Sequence, residues 1–296
     1  MQNVLTLVVN SDVADLDASR VSAAADALSS AGADVGAIDW LAEKISCDIP
    51  FSGMEHATAN ELVKNLLAGI DVFAQPIKGR RKTLLLADMD ATIVTCETLD
   101  ELADFVGMKS QIAEITTRAM NGEIAFGDAL RQRVKMLEGL EVGFLEKTLS
   151  RMELTSGART LVQTMRQNGA YTALVSGGFK YFTSHIREQV GFHEDVSNEF
   201  DINDRKLTGR ISDTIIDKDG KLETLNRLAR QLDISVADAV TVGDGANDLP
   251  MLQAAGLGMA FHAKPLVATS ARHQIEYSDL TSVLYAQGYR KTEFVS

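Results

Sequence analysis

Three nearly continuous apolar runs, TLLLA (83–87), YTALV (171–175) and AVTVG (239–243), each stop abruptly at polar or small residues. Runs of this length without alternation suit strands buried on both faces. Segments of helical period separate them, so the pattern predicts an α/β fold with a Rossmann-like parallel sheet covered by helices. GMAF (258–261) is a fourth strand candidate and HQIEY (273–277) a less apolar fifth. Open α/β sheets bind ligands beyond the carboxyl ends of their strands. The first three ends carry Asp88 and Asp90, then Ser176 with Gly177 and Gly178, then Asp244 with Asn247 and Asp248. One crevice would gather them all.

Roughly eighty residues separate the first strand from the second, more than one crossover helix needs. They contain three helical patterns: ETLDELADFVG, with Leu99, Leu102, Ala103 and Val106 on one face, then SQIAEITTRAM, then FGDALRQRVKML. A helical insert here, at about residues 96–150, would cap the active-site end of the sheet. EFDINDRKLTGRIS alternates and carries a Gly, which predicts a β-hairpin. Ahead of the sheet come the β-rich run VLTLVV, a helical segment Val21–Leu28, an apolar stretch from Val35 to Leu41 and a helix candidate Ala59–Ala68. That order predicts a small α+β domain over residues 1–78, joined to an α/β domain over 79–296. Pro76 and the basic run KGRRK (78–82) read as a solvated linker between them.

The formal net charge is −12, with 29 Lys and Arg against 41 Asp and Glu among 296 residues. Such a chain repels nucleic acid and anionic membrane surfaces, so a phosphate ligand would have to be held by local donors or a metal. Cys47 and Cys96 are the only cysteines and lack metal-ligand spacing. Neither a disulfide framework nor a zinc site is expected, in keeping with a reducing cytoplasm. The N-terminus has no basic leader, and no apolar stretch reaches eighteen residues, so the expectation is a soluble, unexported protein.

Residues two apart on an extended chain point the same way, so Asp88 and Asp90 would face one reacting group if strand geometry persists through the turn. With carboxylates and no Ser-His arrangement, the covalent route is a phosphoaspartyl intermediate, Asp88 attacking phosphorus and Asp90 handling the proton. A dianionic substrate would be repelled unless a hard cation sat among the acids. Asp244, with Asp248, would complete an oxygen-ligand site suited to Mg²⁺. Ser176 and the Gly177 backbone can hydrogen-bond phosphoryl oxygens, and Lys221, in GKLETLNRLARQL, can add a mobile positive charge.

The stretches DMDAT (88–92), VSGG (175–178), the Lys221 region and GDGANDLPM (243–251) stand in the order of the haloacid dehalogenase superfamily. Residues 82 to 290 resemble that superfamily, and within it the phosphoserine phosphatases. The resemblance implies Asp88 as nucleophile, Asp90 as general acid and base, and Ser176 and Lys221 as the phosphate-holding pair. It implies Asp244 as a Mg²⁺ ligand together with Asp88 and the Asp90 backbone carbonyl, Asp248 supporting the metal site and Lys221, and Asn247 near the phosphate. Met89 and Ala91 stand where the family often has Phe and Ser. An amino-acid substrate calls for an anionic and a forked cationic partner. Glu97 and Arg133 fall where that family binds the amino and carboxyl groups, with Met120 and Phe126 as apolar contacts. The implied substrate is O-phospho-L-serine and the implied place in metabolism is the last step of serine biosynthesis.

The N-terminal region is similar to the small ACT-like regulatory domains found ahead of some of these phosphatases. VVNSDVADLDASRV lacks the Gly expected in their ligand loop, so a structural or homodimer-forming role stands beside effector binding. Three other readings use the same residues: a related phosphatase or phosphotransferase acting on another small ester, a signalling receiver phosphorylated on Asp, and a binding protein with a dead site. Asp90 and the cap weigh against a receiver, because they would discharge the acyl phosphate. The dead site is disfavoured because no required polar residue is missing.

Overall fold

The computed structural model describes residues 1–120, 123–211 and 214–295. The first part is an antiparallel sheet of β1 (Asn3–Val8), β2 (Asp34–Val35), β3 (Asp39–Ala42), β4 (Ser46–Ser52) and β5 (Asp71–Pro76), with α1 (Ala18–Ser30) and α2 (His56–Leu66). Its order is β2-β4-β1-β5, with β3 also on β4. Leu5, Leu7, Cys47, Ile49, Phe51, Val72 and Ala74 turn one face onto Val21, Leu28, Ala59 and Val63 of the two helices. Val8, Leu41 and Phe73 belong instead to the core of the rest of the molecule, so the sheet is buried on both faces.

The larger sheet comprises β6 (Leu84–Ala87), β7 (Tyr171–Phe179), β8 (Glu194–Asn198), β11 (Ala239–Gly243), β12 (Leu257–Phe261) and β13 (His273–Ile275). All pairings are parallel, in the order β13-β12-β11-β6-β7-β8. The three apolar runs are thus adjacent central strands, as their two-sided burial requires. β6 leads next to β7 on one side, while β11 lies on its other side; this is the topological switch point of the sheet. Helices α7 (Ala158–Gln167), α8 (Lys180–Val190), α9 (Lys218–Gln231), α10 (Leu249–Ala254), α11 (Pro265–Ser270) and α12 (Ser282–Ala286) follow the strands.

Between β6 and β7 lie α3 (Thr98–Asp104), α4 (Lys109–Met120), α5 (Phe126–Lys135) and α6 (Gly143–Leu149). The predicted hairpin is present as β9 (Phe200–Asn203) and β10 (Lys206–Ile211). It joins the helical insertion through backbone bonds from Gly139 N to Leu207 O and from Leu207 N to Leu140 O, 2.8 and 2.9 Å. Val106 does not share the buried face expected of it. Gly107 adopts φ 68°, the helix ends at Asp104, and Val106 is 37% exposed.

The basic run 78–82 is not a solvated linker. Arg80 pairs at 2.7 Å with Asp48, a buried residue of β4 that also accepts from Thr6 Oγ1 at 2.6 Å. Lys82 is buried and donates to the carbonyls of Gly79 and Ala237, both at 2.8 Å. These contacts fasten the N-terminal sheet to the body. Asp71, at the start of β5, strengthens the junction: its carboxylate accepts from the N–H groups of Glu276 and Ser278 at 2.8 and 2.9 Å and from the Ser278 hydroxyl. Burial pushes the Asp71 carboxyl up and these donors pull it back. Asp71→Ala is expected to cost about 2–4 kcal/mol, since it strands several buried donors at once. Urea unfolding followed by circular dichroism measures this, and a loss under about 0.5 kcal/mol would contradict it.

Cys47 and Cys96 are free thiols. Among the described residues no helix is long and apolar enough to cross a membrane.

Candidate active site

The β6 ladder continues one bond past the strand, from Asp88 N to Val242 O at 3.0 Å, and then the chain kinks. Asp88 and Asp90 keep extended backbones, while Ala91 takes the left-handed conformation at φ 51°, ψ 8°. A non-glycine residue there is strained by on the order of 1 kcal/mol. Ala91 N to Cys96 O and Val94 N to Met89 O, 3.1 and 3.0 Å, hold the turn closed. The consequence is that Asp88 and Asp90 both line one cavity, as the two-residue spacing predicts.

That cavity has a volume of about 460 Å³ and sits between the carboxyl ends of the central strands and the helical insertion. Of the residues singled out by sequence, Asp88, Asp90, Glu97, Phe126, Arg133, Ser176, Gly177, Asp244 and Asn247 all line it. Lys221 and Asp248 lie behind Asp88 rather than on the wall. Lys221 is fully buried, its ammonium donating to Asp88 Oδ1 and Asp248 Oδ1 at 2.6 Å each. The expectation of a mobile charge is therefore corrected: two carboxylates fix Lys221 in place. Met120 ends α4, and its side chain lies outside the described residues.

The third strand end is built around close packing. A Cβ on Gly243 would fall 2.4 Å from Asp248 Cγ, so only glycine lets the Asp248 carboxylate fold back under β11. There Asp248 Oδ2 accepts from Gly245 N at 3.0 Å, which orients its other oxygen to Lys221. On β7, the Ser176 hydroxyl accepts from Gly178 N at 2.8 Å and stands 3.4 Å from Asp90 Oδ2. A Cβ on Gly178 would sit 2.9 Å from that same Asp90 oxygen. The other Asp90 oxygen accepts from Thr98 N at 2.9 Å, at the start of α3.

Oxygens of Asp88, Asp244 and Asp248 lie within 4.8 Å of one another. Burial, and then the Asp248 charge, push the Asp88 carboxyl well above its usual range. The same two causes push Asp244 up to about 7, and burial followed by Glu97 pushes Asp90 up to about 6. Burial pulls the Lys221 ammonium down, but Asp248 and Asp88 outweigh it and hold the group charged. Negative charge therefore exceeds positive charge at the bottom of the cleft. Three hard oxygen donors with uncompensated charge fit a divalent cation, whereas they would repel a bare phosphate. The Asp90 side chain is not among the three.

Glu97 and Arg133 line the same cavity. Arg133 is buried on α5, with Nη1 donating to Thr116 Oγ1 at 3.3 Å and Nε to Ala129 O at 3.4 Å. Burial pulls the guanidinium down from its ordinary value, and Glu97 and Asp100 pull it back. Phe126 packs its ring edge over Gly177, where a Cβ would meet Phe126 Cζ at 2.9 Å. Sequence reasoning missed Lys264, which also lines the cavity, and Asn198, which ties Gly177 O to Ile216 N by bonds of 2.8 Å each. Asn198 offers no sequence signal. Lys264 lies three residues beyond the end of the strand candidate GMAF, in the stretch that the strand-end rule covers.

The haloacid dehalogenase-like hydrolase family model matches residues 85–253. A phosphoserine phosphatase of Archaeoglobus fulgidus is 42% identical over 217 residues, 73% of this chain and 63% of that protein. The chain thus spans less than two thirds of that relative. A phosphoserine phosphatase of Streptomyces coelicolor is 35% identical over 284 residues, covering 94% of this chain and 69% of that one. Among solved structures, a HAD family hydrolase from Salmonella enterica serovar Typhi superposes with a TM-score of 0.85 at 28% identity, covering 96% of this chain and 98% of the other. With a family match over more than half its length and relatives aligned well beyond it, the chain belongs to the haloacid dehalogenase-like hydrolase family, alongside its phosphoserine phosphatases.

Proposed function

We propose that the chain is a phosphoserine phosphatase, hydrolysing O-phospho-L-serine to L-serine and phosphate through a phosphoaspartyl intermediate on Asp88. The observation that carries this reading is one cavity lined by Asp88 and Asp90 together with Glu97 and Arg133. The names of the relatives support the substrate.

In this mechanism Lys221 engages Asp88 Oδ1, so Oδ2 is the attacking oxygen. It forms a bond to phosphorus as the bond from phosphorus to the serine oxygen breaks, and Asp90 delivers a proton to that leaving oxygen. A water then attacks phosphorus, Asp90 taking its proton, and the Asp88–phosphorus bond breaks to release phosphate. An Asp90 carboxyl pushed up to about 6 is suited to both donating and accepting. Ser176 and the Gly177 backbone donate to the phosphoryl oxygens. Asp88, Asp244 and the Asp90 carbonyl would hold Mg²⁺, with Asp248 supporting the site through its bonds to Lys221 and Gly245 N, and the ion would supply charge neutralisation at the phosphoryl group. Glu97 accepts from the substrate ammonium and Arg133 donates to its carboxylate. Helices of residues 96–150 act as the cap that keeps other water out, on a body of residues 79–296 preceded by a unit of residues 1–78. A cytoplasmic enzyme supplying serine completes the reading.

Arg133→Ala tests the substrate. It is expected to lower kcat/KM for O-phosphoserine roughly 100-fold while leaving an ester without a carboxylate within about threefold of wild type. Steady-state phosphate release on the two esters measures this, and equal losses on both would remove Arg133 from substrate recognition.

A further inference from the structure

Lys264 has no part in the mechanism above, yet it stands on the cavity wall. Its backbone is tied to the third strand end, Lys264 N donating to Asp244 O at 3.4 Å. Its ammonium lies 3.9 Å from Asp244 Oδ2 and 4.0 Å from Glu97 Oε1. Among the described residues it is the only cation within 4.0 Å of either carboxylate. The two separations are those of ion pairs without hydrogen bonds, and the Lys264 side chain is 43% exposed. Lys221, in contrast, is fully buried and locked at 2.6 Å. One lysine is built in; the other is loosely held between the acid that would ligate the metal and the acid that would meet the substrate ammonium.

We propose that Lys264 is a specificity-determining residue whose ammonium holds the place of two incoming cations, the divalent metal beside Asp244 and the substrate's ammonium beside Glu97. The proposal rests on the phosphoserine reading. Two carboxylates facing an open cleft would otherwise repel each other and any approaching dianion. The lysine neutralises them until the metal and substrate arrive, and it can withdraw toward solvent because its flexible stem is already half exposed. Its charge also opposes each arriving cation at close range. An ester lacking the ammonium meets no such opposition and is drawn by the same charge, so Lys264 sets how strongly the cleft distinguishes the two.

Calorimetric titration of the full chain with MgCl₂ alone, without substrate, reads the first half. Lys264→Met is expected to bind Mg²⁺ about fivefold more tightly than wild type, the effect of one charge at 4 Å screened by water, and Lys264→Arg to keep the wild-type affinity. Steady-state kinetics read the second half. In Lys264→Met, the ratio of kcat/KM for O-phosphoserine over that for the otherwise identical ester without the amino group should rise about fivefold. Unchanged or weaker Mg²⁺ binding in Lys264→Met, or an unchanged ratio, overturns the proposal. A wild-type protein that binds Mg²⁺ but releases phosphate from neither ester refutes the phosphoserine reading and, with it, the substrate half of this one.

Discussion

Asp88→Asn is expected to lower phosphate release by about 10⁴-fold or more, with the fold intact. The amide keeps the shape of the side chain and can still meet Lys221, but it cannot form the acyl phosphate, and no neighbouring carboxylate stands in its place. Asp244 and Asp248 lie near it, yet Asp248 Oδ1 is taken by Lys221 and Oδ2 by Gly245 N. Stability moves differently. In the wild type, burial and Asp248 push the Asp88 carboxyl well above its usual range, so its charged form is disfavoured by folding. Asp88→Asn removes that charge, and its thermal midpoint at neutral pH in the absence of metal should be no lower than that of the wild type. Activity within about tenfold of wild type would show that Asp88 is not the nucleophile. A midpoint several degrees lower would show that the Lys221 pair outweighs the repulsion.

The second large effect belongs to Lys221→Met. Its ammonium is fully buried and is the sole hydrogen-bond donor to Asp88 Oδ1 and Asp248 Oδ1 among the described residues. Removing it leaves two buried carboxylates facing each other, which is expected to cost about 3–5 kcal/mol of stability. It should also lower kcat roughly 10²–10³-fold, because the nucleophile loses its orientation and the site a fixed positive charge. Adding Asp88→Asn to Lys221→Met should restore part of the lost stability and none of the activity. Denaturant unfolding of the four proteins in this cycle measures the coupling; additivity within about 0.3 kcal/mol would show that Asp88 and Lys221 do not act as a pair.

The catalytic half was legible in the sequence because its signals are short-range. An apolar run buried on both faces leaves little choice but a central strand, and a polar residue directly after it must lie at the sheet's carboxyl end. Asp88, Ser176 and Asp244 were placed by that logic alone, and β6, β7 and β11 are neighbours in the structure. What escaped depends on partners remote in sequence. β4 was missed because SCDIPFS contains Asp48 and Pro50, and only Thr6 and Arg80 make burial of Asp48 tolerable. β8 was missed for the same reason: Asp195 is buried there against Thr183 Oγ1 at 2.6 Å and Lys180 Nζ at 3.0 Å. The basic run at 78–82 was read as solvated because composition does not reveal a buried acid waiting for Arg80. The sequence presents Lys221 as a mobile charge, and its burial becomes intelligible only once Asp88 and Asp248 are seen to converge on it. In each case a charge that the sequence presents as exposed is neutralised by a residue from another element.

The central claim is that the acids at the switch point turn over O-phospho-L-serine through Asp88. The most direct measurement is to quench the reaction of ³²P-labelled O-phosphoserine in acid, in the presence of Mg²⁺, and to map the labelled peptide. The account predicts an acid-stable, hydroxylamine-labile label on the peptide carrying Asp88, absent from Asp88→Asn, with free phosphate accumulating only in the wild type. Phosphate released by the wild type with no label on that peptide under rapid quench, and released equally by Asp88→Asn, would contradict it.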